Sequence, residues 1–140
     1  LCRLALLNAP TVACINGNAY AGGAIMASAT DFRLMRADRG RFCFPEVNIR
    51  IPFTTVSNAI AHLLPNKQAL RTMMLTGAAY TGTECFDNGI VDGLYDVDRL
   101  QTASFEMAQK LALKDRVTYA SIRNLMRSDI ATHLTHLTQS

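Results

Sequence analysis

Residues 11–30, TVACINGNAYAGGAIMASAT, place a β-branched apolar run, a glycine-rich turn and a small-residue apolar helix in immediate succession, and that order admits few folds. The run TVACIN is apolar at nearly every position, the pattern of a strand covered on both faces in a parallel sheet. Gly17 to Gly23 supplies the turn, and GGAIMASAT from Gly22 has helical residues. Asp31 then precedes a second apolar run, FRLMRA (32–37), so a right-handed parallel crossover is the economical topology.

The rest of the chain reads as helices around this unit. RFCFPEVNIRI (41–51) carries Pro45, which bars a regular central strand and predicts extended, partly irregular chain. Thr54–Leu64 and Asn66–Leu75 each open on a capping residue and repeat apolar side chains at three-to-four spacing. YTGTECFDNG holds a capping box, Thr81 with Glu84, and stops at Asn88-Gly89. IVDGLY reads as a short strand or extended link. The periodicity predicts two closing helices, one with Leu100, Ala103, Met107 and Leu111 on its inner face, the other over roughly Val117–Ile130 with Ile122, Leu125 and Met126 inward. The division is an α/β part over 1–96 and a helical part over 97–140 within one continuous domain.

Composition narrows the partners. The 14 Lys and Arg are scattered and the net charge is only +3, so no nucleic-acid partner is nominated. No apolar segment approaches the ~20 residues that span a bilayer, which argues against membrane insertion. The four cysteines form no CxxC pair, so the expectation is buried, reduced thiols in a reducing compartment. The opening LCRLALLNAP lacks an initiator Met and reads as the last turns of a helix.

Three chemistries compete for the glycine turn. Gly17 and Gly22 have the Walker spacing, but Gly23 and Ala24 stand where Lys and Ser or Thr are required. A dinucleotide fingerprint fails because position 19 is Ala. The remaining reading is an anion site made of backbone, with the N–H groups of Gly22 and Gly23 pointing outward at a helix start; beside it stands the plain reading of a tight turn. Among the acids, Glu46 sits in FCFPEVNI, where apolar neighbours disfavour charge on its carboxylate and suit it to proton transfer, against a surface Glu that begins a turn after proline. Asp31 reads as a cap or turn residue. Arg33, Arg36, Arg39 and Arg41 read as solvated strand edges paired with Asp31 or Asp38, Met73, Met74, Met107 and Met126 as core, and His133 with His136 as a solvated helix end rather than a metal pair.

The segment PTVACINGNAYAGGAIMASATDFRLMRADRGRFCFPEVNI resembles the central signature of the enoyl-CoA hydratase/isomerase (crotonase) superfamily, and NKQALRTMMLTGAAYTGTECFDNGIVDGLYDVDRLQTASFEMAQKLA continues the resemblance. The fold it implies is α/β, the second half of the crotonase ββα spiral with parallel strands and a helical C-terminal trimerisation region. By resemblance Gly22 is an oxyanion donor, Glu46 the acid/base, and Ala21, Gly23, Ile25 and Phe44 contact substrate. Ile25 stands where hydratases carry a second glutamate, and LMRADRG is also similar to the Δ3,Δ2-enoyl-CoA isomerase branch. The resemblance therefore implies an isomerase, with hydratase or a catalytically silent assembly or binding protein as alternatives. It implies an acyl-CoA substrate, no metal or redox cofactor, and a homotrimer or dimer of trimers. The family's first half has no counterpart in the chain, so the expectation is a C-terminal portion of such an enzyme. Its setting is peroxisome or mitochondrion, with a lean to the peroxisome, although the TQS ending is not the peroxisomal tripeptide.

Overall fold

The computed structural model describes residues 1–139. The chain runs α1 (Cys2–Ala5), β1 (Val12–Ile15), β2 (Ala19–Tyr20), α2 (Gly22–Ala29), β3 (Phe32–Arg36), β4 (Arg41–Cys43), α3 (Glu46–Ile49), α4 (Thr55–Ala61), α5 (Lys67–Thr76), β5 (Ala79–Thr81), α6 (Gly82–Asp87), β6 (Gly93–Tyr95), α7 (Val97–Ala112), α8 (Arg116–Met126) and α9 (Ser128–Gln139). Two sheets form, ordered β1-β3-β6 and β2-β4-β5. The first is wholly parallel, and in the second β2 and β4 run parallel while β5 is antiparallel. The glycine turn thus contains a strand. Ala19 and Tyr20 leave the first sheet and join the second, so β1-β2-α2 and β3-β4-α3 are successive ββα turns, each contributing one strand to each sheet.

The main core lies among the sheets and α2, α4 and α5. Phe42, Phe44, Met35, Ile60, Leu64, Met73, Cys85 and Ile90 are fully buried there. A smaller cluster, Leu34 with Leu100 and Ala103, seats α7 on the first sheet. Side-chain caps start the helices where anticipated: Thr54 accepts from Ser57 N, Asn66 from Ala69 N, and Thr81 and Glu84 close a full capping box.

Several expectations need correction. β1 is only partly covered: Cys14 is exposed and lines a groove with Asn16, Val97, Leu100 and Gln101. Three of the four thiols are buried, not all. The last helix breaks at Arg127, and Ile122, Leu125 and Met126 face solvent, with Met126 77% exposed. The inner face of α8 carries Ala120 and Arg123 instead.

The physical reason is Asp31. Read as a cap, it is a buried hub whose Oδ2 accepts from Thr11 N (3.0 Å), the Tyr119 hydroxyl (2.7 Å) and Arg123 Nη1 (3.1 Å), with Arg127 Nη2 3.3 Å from Oδ1. Arg123 of α8 and Arg127 just beyond it point inward to Asp31, while the apolar row of the helix faces outward. Arg33 likewise is not solvated: it is buried and donates to the carbonyls of Ile90, Ala27 and Thr30, satisfying the C-terminal end of α2. Only Arg36 makes the expected pair, with Asp38.

A buried thiol and a half-buried phenol make this core sensitive to alkali. Burial, then the Glu84 charge, pushes the Cys85 thiol up to about 12. Burial and the hydrogen bond to Asp31 raise the Tyr119 phenol as well. Both folded-state values exceed the unfolded ones, so their contribution is complete below about pH 9 and declines as pH rises toward 12. Denaturant unfolding across this range should show falling stability, with a shallower slope in Cys85→Ala. An unchanged slope would show that the thiol does not contribute.

Candidate active site

The parallel pair β2/β4 aligns Ala19 with Phe42 and Tyr20 with Cys43, and each strand is followed at once by a helix start. α2 begins at Gly22 and α3 at Glu46, both beyond the carboxyl ends of these strands, where open α/β sheets bind ligands. One hydrogen bond ties the two exits, Ala21 N to Cys43 O at 3.1 Å. The fold therefore brings Gly22 and Glu46 to one end of one strand pair, although they are far apart in sequence.

At the α2 exit Ala21 is the N-cap, with φ 50°. An alanine offers no capping side chain, so the first amides of α2, at Gly22, Gly23 and Ala24, have neither an intrahelical acceptor nor a side-chain cap. The left-handed strain sits on Ala21 and not on the two glycines. A Cβ built at Gly22 or Gly23 would meet nothing within 4 Å. The packing within this chain leaves room for a side chain at both positions.

The turn is braced from below by Gly40, which sequence reading missed. Gly40 has φ +97°, and a Cβ on it would lie 2.6 Å from the Gly17 carbonyl carbon. The neighbouring Arg41 N donates to Asn18 Oδ1 at 2.9 Å. Gly40→Ala should therefore cost about 2 kcal/mol or more, through strained φ and a backbone clash; chemical denaturation checks this, and a loss below about 0.5 kcal/mol would mean the turn relaxes freely. The only sequence signal was a glycine between two arginines.

At the α3 exit Pro45 is the N-cap and Glu46 the first helical residue. Glu46 is 7% exposed, so it is no surface turn residue, and its Oε2 is buried with no hydrogen-bond partner. An unpartnered buried acceptor costs roughly 1–3 kcal/mol, and a catalytic role is one of the reasons a protein carries one. Of its apolar sequence neighbours, Phe42 and Phe44 are buried while Val47 and Ile49 are half exposed. The adjacent Cys43 thiol donates to Gly77 O at 3.3 Å, and burial followed by the Glu46 charge raises its pKa.

The expected substrate contacts divide. Gly23 lines an open groove of about 390 Å³ with Asn16, Gly17 and Met26, and Ala21 sits at the strained cap. Ile25 and Phe44 are core side chains, Phe44 packing edge-on against Phe42 (5.7 Å) and Phe53 (5.8 Å). Among the described residues no group of three or more His, Cys, Asp or Glu is placed to hold a metal, and His133 and His136 lie on α9.

Comparison with known proteins gives the family of the chain. Residues 1–139 match the sequence model described as enoyl-CoA hydratase/isomerase, and the chain belongs to that family. A peroxisomal enoyl-CoA delta isomerase 2 of Arabidopsis thaliana is 34% identical over 126 residues, covering 86% of this chain and 52% of the relative. A carnitinyl-CoA dehydratase of Salmonella arizonae is 29% identical, covering 87% and 46%. Among solved structures, a probable enoyl-CoA hydratase of Mycobacterium tuberculosis superposes with a TM-score of 0.85 at 21% identity, over 94% of this chain and 55% of the other, a likeness of fold. The chain spans about half the length of the curated relatives it matches. No helix among the described residues is long and apolar enough to cross a membrane.

Proposed function

We propose that this chain supplies the proton-transfer site of an enoyl-CoA isomerase that moves a 3-enoyl-CoA double bond to the 2-trans position. The observation that carries the reading is the buried, unpartnered Glu46 carboxylate set off the same strand pair as the uncapped amides of α2. Glu46 takes a proton from C2, the C2 electrons delocalise onto the thioester oxygen, and the Gly22 N–H donates to that developing oxyanion. The protonated Glu46 then returns the proton at C4 as the double bond forms between C2 and C3. Atoms balance, water takes no part, and CoA enters as part of the substrate.

Ile25 supports isomerisation over hydration, since adding water uses a second carboxylate and the side chain here is apolar and packed in the core. The dehydratase relative keeps hydration chemistry as the second reading. Assaying the full-length protein that carries this chain with a 3-enoyl-CoA and a 2-enoyl-CoA in parallel separates them. Conjugated 2-enoyl-CoA should accumulate from the first with little 3-hydroxyacyl-CoA from the second; dominant hydration would assign the second reading, and no turnover of either would assign a silent binding role.

The exposed Ile122, Leu125 and Met126 row on α8 supports assembly as a homotrimer or dimer of trimers through the C-terminal helices. The peroxisomal Arabidopsis relative supports a peroxisomal setting over a mitochondrial one.

A further inference from the structure

α3 is a weak element to carry a catalytic carboxylate. It has four residues, and beyond Glu46 its side chains are exposed, Val47 and Ile49 being half open to solvent. A single turn is not self-supporting in water, because nucleation fixes several residues for one hydrogen bond. Its exit is strained too, since Arg50 holds φ 59° and Ile51 N bonds back to Glu46 O at 3.1 Å. Something outside the turn must fix it.

That support is the C-terminal end of α5. Asn48 Nδ2 donates to Thr76 O at 3.3 Å, and on the preceding strand the Cys43 thiol donates to Gly77 O at 3.3 Å. Gly77 caps α5 with φ +71°, and a Cβ on it would overlap the Asn48 amide nitrogen and lie 3.0 Å from Asn48 Cγ and 3.4 Å from Val47 Cγ1. Two consecutive residues at one helix end thus hold the chain on both sides of Glu46, at Cys43 on β4 and at Asn48 on α3. The last carbonyls of α5 are also groups that a helix leaves without internal partners, so the donors from Asn48 and Cys43 serve both sides of the contact.

We infer that Asn48, seated on Thr76 and Gly77, is a positioning residue that holds Glu46 in register with the reacting carbons. The inference rests on the isomerase reading above. Misplacing a catalytic group by about 1 Å can lower a rate by about 100-fold, so Asn48→Ala should lower kcat about 10- to 100-fold with KM changed by less than about two-fold. If the loss acts through Glu46, adding Asn48→Ala to Glu46→Gln should slow the residual reaction no further. Hydrogen exchange at the amides of Asn48, Ile49 and Ile51, which bond to Pro45 O and Glu46 O, should quicken in Asn48→Ala while the strand amides of β3 keep their protection.

An unchanged kcat, a loss that multiplies fully with Glu46→Gln, or unaltered exchange in α3 would overturn the inference. The exchange measurement needs no turnover. If the wild-type full-length protein converts no 3-enoyl-CoA, the isomerase reading falls, and faster α3 exchange would still establish the clamp while its absence would remove that as well.

Discussion

Glu46→Gln is expected to lower isomerisation of a 3-enoyl-CoA by about 10²- to 10⁴-fold, the range removed with a general acid–base group. The amide has the size of the carboxylate and cannot take the C2 proton. The same substitution should leave Tm unchanged or higher. Oε2 has no hydrogen bond to lose, and a neutral amide is less costly to bury than a group that must carry charge during the reaction. Activity that collapses while stability holds or rises is the signature of a site kept at a cost to the fold. If activity falls only in step with Tm, Glu46 is a packing residue and the proton shuttle lies elsewhere.

Asp31→Ala is expected to produce the largest loss of stability, about 3–5 kcal/mol, because it leaves buried guanidiniums without a counter-charge. Arg123 and Arg127 approach the Asp31 carboxylate within 3.1 and 3.3 Å, and all three side chains are under 10% exposed. Arg123 already has Nε and Nη2 buried without partners, its guanidinium lying 5.7 Å over the Tyr119 ring. Removing Asp31 also strips the acceptor from Thr11 N and the Tyr119 hydroxyl. Asp31→Asn keeps an acceptor and should lose less. Denaturant unfolding of both variants reads the difference; a loss below about 1 kcal/mol for Asp31→Ala would mean that α8 and α9 dock through apolar contact alone.

Asp31 also shows where sequence reading stops. Its partners lie some ninety residues away, on a helix whose apolar periodicity at Ile122, Leu125 and Met126 points the opposite way from its buried face. Amphipathic patterning assumes that the apolar side is the inner side. A buried ion cluster reverses that assumption, and no local pattern announces it. The caps at Thr54, Asn66 and Thr81 were legible because their chemistry closes within three residues. The parallel pairing of β1 with β3 was legible for a similar reason, since a short crossover leaves one economical topology.

At the site, Glu46 and Gly22 could be singled out, and Glu46 in particular by its proline and aromatic neighbours. Their convergence depended on β2, a two-residue strand hidden inside the glycine turn. The Asn48 clamp and the Gly40 brace were beyond reach because each is defined by a backbone atom of a distant segment, Thr76 O and Gly17 respectively. The burial of Phe44 against Phe42 and Phe53 is a tertiary fact that no local pattern announces.

Isotope transfer reads out whether one carboxylate moves a proton from C2 to C4 without water. A 3-enoyl-CoA deuterated at C2 is converted by the full-length protein, and the position of the label in the 2-enoyl-CoA product is read by mass spectrometry and NMR over single turnovers. Deuterium is expected at C4, carried there by Glu46, with no oxygen from labelled water in any product. A 3-hydroxyacyl-CoA carrying solvent oxygen, or conversion at the wild-type rate in Glu46→Gln, would contradict it.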